Sequence, residues 1–314
     1  MIDITLENNM IFYENYESCL KFLSNINYDD YEYPKEKVKF HVYTEANSEK
    51  ELESIKSYLA TQDLDKTELI VWSDYDITGQ ENIQPYKDLV DFRVYSATEE
   101  AKGTPLEDKT QYLIPEDTSK HWMASGVMRF LVVYKYGGIY FDMDMVLLRD
   151  FKPLLDQNFA YQWGSSTNFS RTPGQGEEMG PCAALIGAIK GSEYISNCLE
   201  QLIVTPIKPN TTCFDEEMLS HVYKKNPNAF TVFPSPFFNT EWLVGKTSVS
   251  LSQQIEAGWF VNNGVGSKHL FLDAFAWHWH NSSNNHKTIE PGSKFYELQQ
   301  ITNNKLRNRG ISYD

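Results

Sequence analysis

Gly137-Gly138-Ile139-Tyr140-Phe141-Asp142-Met143-Asp144-Met145-Val146-Leu147-Leu148 is the stretch on which the fold turns. The glycine pair stops the helical pattern before it, as a C′ glycine does, and an apolar run follows that two carboxylates interrupt. Side chains at i and i+2 of an extended strand share a face, so Asp142 and Asp144 are expected side by side. Two hard oxygen donors so spaced suit Mn²⁺ or Mg²⁺, ions commonly held by one or two carboxylates together with substrate phosphates. Unpaired charges inside an apolar strand are costly without a cation. The plainer alternative is a strand end whose carboxylates reach water.

Upstream, Met123, Val127, Leu131 and Tyr134 follow helical spacing, which predicts a helix over 118–136 that ends at the glycine pair. Earlier still, Val38 to Tyr43 alternates as a strand does, and Glu68 to Trp72 is a second short apolar strand. Between them Ser48 and Glu51 form a capping-box signal, with Leu52, Ile55 and Leu59 on one helix face. Strand, helix, strand in this order make a βαβ unit with a parallel sheet, whose ligands sit at the carboxyl ends of the strands. Tyr43, Thr44 and Trp72 are thereby candidate edges of a pocket, and ordinary loop positions in the plainer reading.

The segment from Ser125 to Asp144 resembles the pattern S-D-x-x-R, apolar helix, G-G-I-Y-x-D-x-D of the DXD sugar-binding glycosyltransferases. That family includes yeast initiating α-1,6-mannosyltransferase, lactosylceramide α-1,4-galactosyltransferases and bacterial capsular transferases. Gly103-Thr104-Pro105-Leu106, Phe233-Pro234-Ser235-Pro236 and Ala276-Trp277-His278-Trp279-His280-Asn281 are similar to further elements of its galactosyltransferase branch, in the same order. The resemblance implies an α/β fold of the GT-A type, Rossmann-like, with a mixed central sheet flanked by helices. It also implies a UDP- or GDP-sugar donor, a glycan or glycoconjugate acceptor, Mn²⁺ or Mg²⁺, and retention of anomeric configuration. On this basis residues 1–37 are expected to be an N-terminal cap, 38–290 the transferase domain and 291–314 a C-terminal helix and tail.

Carried over position by position, the resemblance gives Asp142 and Asp144 the metal, with His278 as third ligand and His280 as its rival. Together with the strand-end candidates, the expected donor contacts are Tyr43, Thr44, Trp72, Ser125, Arg129, Gly138, Tyr140 and Asp142. Arg129 would reach the donor sugar or its phosphate, and Glu217 or Glu216 would face the anomeric carbon; solvated acids at a helix start are the plainer reading of both. The chain departs from the pattern at Gly126, where the family has aspartate, at Cys182-Ala183, where it has asparagines, and at Phe214-Asp215-Glu216-Glu217, where it has T-G-P. Gly126 keeps open a catalytically impaired protein that binds nucleotide or glycan. Phe141 to Val146 also fits the D-x-D-x-[TV] of haloacid-dehalogenase-like phosphatases, although no later G-D-x-x-x-D follows it.

Composition narrows the partners. In 314 residues, 28 Lys and Arg face 43 Asp and Glu, a formal charge of −15. A phosphate-neutralising nucleic-acid groove needs a basic surplus, so no nucleic acid is expected. The apolar runs fall short of the roughly 18 residues of a membrane span, and the acidic start at Asp3 and Glu7 is unlike a secretory signal. A soluble or cytoplasmic protein of bacterial or viral origin is the expectation, with four reduced thiols at Cys19, Cys182, Cys198 and Cys213. The stretch from Gly164 to Gly180 reads as a long loop of the kind that often closes over an active site.

Overall fold

The computed structural model describes residues 2, 16–113, 121–162, 181–205, 214–239, 259–262 and 272–313. The expected loop 164–180, the start of the helix expected from residue 118, and Cys213 lie outside them.

A helix α1 (Tyr16–Ser24) precedes the unit read from the sequence: β1 (Val38–Tyr43), α2 (Glu49–Thr61) and β2 (Thr67–Ser73), with β1 and β2 parallel. Ser48 caps α2 by accepting the Glu51 N–H. Glu51 reaches back to the Asn47 N–H rather than to that of Ser48, one residue further than a capping box requires. Then follow β3 (Asp91–Val94), α3 (Ala97–Ala101), α4 (His121–Tyr136), β4 (Gly138–Phe141), β5 (Met145–Leu147), β6 (Phe159–Gln162) and β7 (Pro181–Ala188). The remainder is α5 (Glu193–Val204), α6 (Phe214–Lys225), β8 (Thr231–Phe233), β9 (Ala276–His278), α7 (Asn281–Asn284) and α8 (Lys294–Asn308).

The central sheet has seven strands in the order β3-β2-β1-β4-β7-β6-β8 and is mixed, because β7 runs antiparallel to both β4 and β6. Strand order reverses between β1 and β4, which are parallel neighbours, and open α/β sheets bind ligands in the crevice at such a reversal. Phe40 is level with Ile139 and His41 with Tyr140; the same register continued sets Asp142 level with Tyr43. Alternation sorts the strand side chains into two layers. Phe40, Val42, Leu69, Val71, Ile139 and Phe141 are buried in one core, while Ile70, Trp72 and Tyr140 join α4, α5 and α6 in the other. Full burial of a large apolar side chain contributes about 1.5–3 kcal/mol, so these strands anchor the sheet firmly. Cys19 and Leu23 of α1 lie in the first core, and α8 packs along α2.

The expected single strand over 139–148 is two strands. β4 ends at Phe141, and β5 belongs to a separate two-stranded sheet with β9. Asp142 to Asp144 form the turn between them, closed by the Met145 N–H donating to the Asp142 carbonyl at 3.0 Å. The carboxylates are therefore neighbours through a turn, not through strand alternation. The physical reason is pairing: β4 is occupied by β1 and β7, while β5 finds its partner in β9.

No helix among the described residues is long and apolar enough to cross a membrane. Cys19, Cys182 and Cys198 are buried free thiols.

Candidate active site

Asp142 stands at the end of β4, where its N–H continues the ladder to the Ala184 carbonyl of β7 at 2.7 Å. Its Oδ1 accepts the Tyr140 hydroxyl at 2.8 Å and lies 3.1 Å from Arg129 Nη2. Arg129 comes from the middle of α4 and is buried. Its Nη1 is 3.0 Å from Asp215 Oδ2 at the start of α6 and donates to the Ala183 carbonyl at 2.7 Å, its Nε donates to the Ser125 carbonyl at 3.3 Å, and its guanidinium lies over the Tyr140 ring. Burial opposes the charge of Arg129, but Asp142, Tyr140 and Asp215 outweigh that and keep it protonated. Burial pushes the Asp142 carboxyl up to about 6, against the pull of Arg129 and with a further push from Asp144.

Asp144 is buried on the other side of the turn, enclosed by the segment after β9. Met145 is level with His278 in the β5–β9 ladder, so the next residues of that segment wrap around Asp144. Trp279 N–H donates to the Asp144 carbonyl at 3.0 Å, and Asn281 N–H donates to its Oδ2 at 2.7 Å. His280 enables the second contact by adopting a left-handed conformation, φ +54°. Asp144 Oδ1 lies 3.1 Å from His278 Nε2 but makes no hydrogen bond of acceptable direction. Burial alone would raise the Asp144 carboxyl; His278 and the Asn281 N–H reverse this and hold it at about 2.

His278 and His280 stack with ring centroids 3.9 Å apart, and His280 rests in turn on Trp259. Burial would lower the His278 pKa, but the Asp144 carboxylate outweighs it and the net shift is upward. Burial and the neighbouring His278 push His280 well down, so that ring is neutral. Of the two rivals, the nitrogen directed at the carboxylate belongs to His278.

The remaining sequence candidates divide. Tyr140 joins the cluster through its hydroxyl, and Ser125 through its carbonyl. Gly138 has a structural duty: its φ is +94°, and a Cβ there would sit 1.9 Å from the Lys39 carbonyl oxygen, so the glycine is needed for close approach of β4 to β1. Thr44 and Trp72 are each 1% exposed and offer almost no surface to a ligand. Thr44 Oγ1 caps the Ala46 N–H, and Trp72 packs against His41, Tyr95 and Tyr136 in the core. Tyr43 is also buried, its hydroxyl bonded to Asp74, which ties the loop after β1 to the loop after β2. Glu217 is exposed on α6, whereas Glu216 is half-buried and its charge is felt by Cys182 and His278.

Two residues in the cluster escaped the sequence reading. Asp215, given no role in the sequence beside Glu216 and Glu217, is buried on Arg129. Tyr161 was not singled out in the sequence, and its hydroxyl is 3.1 Å from His278 Nδ1. Open concavities exist elsewhere among the described residues, one of about 590 Å³ lined by Tyr28, Arg149 and Lys305 among others, and one of about 420 Å³ between α2 and α8. Neither includes a residue of the Asp142–Asp144 cluster, so charge and geometry rather than volume single out the site.

Residues 14–161 match the family described as the glycosyltransferase sugar-binding region containing DXD motif. Solved structures similar to the chain include the PaToxG glycosyltransferase (17% identity, TM-score 0.44, covering 69% of this chain and 81% of that one). Apo GlyE, a glycosyltransferase of Streptococcus pneumoniae TIGR4, is similar at 13% identity and TM-score 0.46, covering 89% of this chain and 65% of that one. The bifunctional WbbM glycosyltransferase is similar at 10% identity and TM-score 0.50, covering 88% of this chain and 51% of that one. The chain thus spans about two thirds of GlyE and half of WbbM. At these identities the likeness bears on fold alone, and it is WbbM that carries it. No curated protein matches the sequence. The chain has a GT-A-like mixed α/β fold, and the match over the DXD segment is consistent with a DXD glycosyltransferase family and supports a sugar-transferring function. The phosphatase alternative has no such support.

Proposed function

We propose that the protein transfers a sugar from a UDP- or GDP-sugar to a hydroxyl of a glycan or glycoconjugate, with retention of configuration, and that the transfer depends on Mn²⁺ or Mg²⁺. The observation that carries this reading is Asp144 Oδ1. It is buried and without a well-directed hydrogen bond, and it lies 3.1 Å from a histidine nitrogen. Two ligand atoms in adjacent positions of an octahedral ion, each about 2.0–2.1 Å from it, are about 3 Å apart. The donor set of two carboxylates and an imidazole fits Mn²⁺, so Asp142, Asp144 and His278 are the residues that would hold it. Among the described residues no three His, Cys, Asp or Glu side chains are grouped so as to hold a metal ion, so Asp142, Asp144 and His278 would have to draw closer together to share one.

When bound, the ion supplies Lewis-acid stabilisation of charge on the leaving diphosphate. The chain's own residues supply the rest. Arg129, clamped by Asp215, holds one oxygen of Asp142 in place and adds a fixed positive charge at the end of β4. The Tyr140 hydroxyl fixes the Asp142 rotamer from below. Asn281 N–H anchors Asp144 Oδ2 and leaves Oδ1 turned towards His278. Glu216 is the acid of the α6 start whose charge reaches the cluster, and it is the one we assign to the sugar face.

The test is hydrolysis of a panel of UDP- and GDP-sugars, with and without Mn²⁺, by the wild type and Asp144→Ala. Mn²⁺-dependent turnover that the substitution abolishes is expected; equal turnover in both proteins would overturn the reading. The second reading, a transferase-like binding protein, rests on the absence of a side chain at Gly126, one helical turn before Arg129 on α4. Mn²⁺-dependent UDP or GDP binding without turnover, with turnover gained in Gly126→Asp, is its signature.

A further inference from the structure

Lys50 stands in the first turn of α2, where the helix dipole disfavours a cation, and it is only 5% exposed. A charge so placed needs compensation. An ammonium group has three N–H donors, and Lys50 Nζ donates to three backbone carbonyls at the end of α7 and just beyond it, those of Asn284 at 2.8 Å, Asn285 at 3.2 Å and Lys287. Its charge also rests 4.4 Å from the centroid of the Phe260 ring and 5.8 Å from that of Trp279. Lys50 and Asn284 are 234 residues apart in the chain, so the contact is a tertiary clamp and not a local cap.

What the clamp holds is the turn that reaches Asp144. Asn284 Nδ2 donates to the Trp279 carbonyl at 2.7 Å and to the His280 carbonyl at 3.1 Å, which closes residues 279–284 into one unit. Inside that unit lies His280, whose φ of +54° is left-handed. For a residue with a Cβ this conformation is strained, and it persists only where the surroundings over-determine it. It is also the conformation that sends the Asn281 N–H to Asp144 Oδ2 at 2.7 Å, while the Trp279 N–H donates to the Asp144 carbonyl at 3.0 Å. Lys50 from outside the turn and Asn284 from within it supply the constraint.

We infer that Lys50 is a positioning residue for Asp144. By gathering the carbonyls of Asn284, Asn285 and Lys287 it keeps His280 left-handed and the Asn281 N–H on Oδ2, which leaves Oδ1 turned towards His278. The inference rests on the proposed role of Asp144 in the cation site, although the Asn281 contact forms without a metal. Groups that orient a metal-binding side chain typically weaken metal affinity by about 10–100-fold when lost. Lys50→Met keeps the length of the side chain and removes its charge and donors.

Two measurements on the full chain decide it. In metal-free ¹⁵N-labelled protein the Asn281 amide, bonded to a carboxylate, is expected downfield and slow to exchange in the wild type. In Lys50→Met its exchange is expected to quicken by about tenfold or more, while the amides of β1 and β4 keep their protection. An Asn281 amide unchanged in the variant, or one that quickens only in step with β1 and β4, overturns the inference, the latter because it marks a merely structural lysine. Should Lys50→Met not fold, Asn284→Ala takes its place, with the same expectation and the same contradicting results. Mn²⁺ affinity read by paramagnetic resonance of the free ion, with no donor present, is expected to fall about tenfold or more in Lys50→Met, and unchanged affinity beside a released Asn281 amide also overturns the inference. Wild-type protein that binds no Mn²⁺, or whose affinity survives Asp144→Ala, would instead sink the cation site, and the Asn281 amide would still decide the clamp.

Discussion

Arg129 Nη1 lies 3.0 Å from Asp215 Oδ2 and so ties the middle of α4 to the first turn of α6, while Nη2 of the same guanidinium holds Asp142 at the end of β4. The consecutive elements α4 and β4 and the distant α6 meet at one buried cation.

Removing that cation leaves two largely buried carboxylates without their partner. Arg129→Met is expected to destabilise the fold by about 3–5 kcal/mol, the usual cost of breaking a buried pair from one side. Asp215→Asn should cost less, because Arg129 keeps Asp142. Urea denaturation of both single variants and the double variant should give a coupling of about 0.5–3 kcal/mol; additive effects would show that Asp215 does not act through Arg129.

Gly138→Ala is expected to be among the most damaging substitutions in the chain. The new Cβ would meet the Lys39 carbonyl oxygen at 1.9 Å, and φ is +94°. Left-handed strain in a non-glycine residue alone costs about 1–3 kcal/mol, and the backbone collision adds to it. The predicted readout is loss of soluble folded protein, or a thermal midpoint lowered by ten degrees or more on the scale of about 2–4 °C per kcal/mol. A midpoint within a few degrees of wild type would contradict the packing of β4 on β1.

Glu53, fully buried on α2, has its carboxyl pushed up to about 7 by burial, with Lys56 and Thr302 pulling the other way. The folded pKa exceeds the unfolded one, near 4.3. Its stabilising contribution is therefore complete below about pH 4, is lost as pH rises through 7, and stays lost above that. Glu53→Gln should be more stable than wild type at pH 8, by up to about 3 kcal/mol, and nearly equal to it at pH 4. Guanidinium melts at the two pH values check this, and the same difference at both would refute it.

Glu216 and Glu217 are adjacent in sequence but differ in surroundings, one half-buried near the cluster and one exposed. Donor turnover in Glu217→Gln is expected within about twofold of wild type, with stability changed by no more than about 0.5 kcal/mol. Glu216→Gln is expected to lower turnover by about 100-fold or more, the low side of what a positioned acid or base at a reacting centre supplies. The reverse ranking would move the sugar face to the other side of α6.

Much of the frame was legible in the chain itself because local rules dictated it. The alternation of Val38 to Tyr43, the cap at Ser48, the helical spacing from Met123 to Tyr134 and the glycine stop each depend on neighbours a few residues apart. They reappear as β1, α2, α4 and the start of β4. Trp72, Thr44 and Gly138, expected as donor contacts, have structural duties in the fold that the sequence did not show. Lying at a strand end or beside the motif identifies the edge of a pocket, but burial and backbone approach decide whether a side chain looks out of it or props it up.

The sequence by itself determined that two aspartates follow a glycine-stopped helix at the end of an apolar strand, and that His278 and His280 come late in the chain as alternative partners. Only the tertiary structure decided how these meet. The pairing of β5 with β9, not strand alternation, turns Asp144 towards His278, and the left-handed backbone at His280 brings the Asn281 N–H onto its second oxygen. Asp215 and Tyr161 entered the site in the same way, through contacts separated by 86 and 117 residues of chain in the Arg129–Asp215 and Tyr161–His278 pairs. Local propensity has no reach over such distances; long-range strand pairing and the burial of charge in need of a partner do.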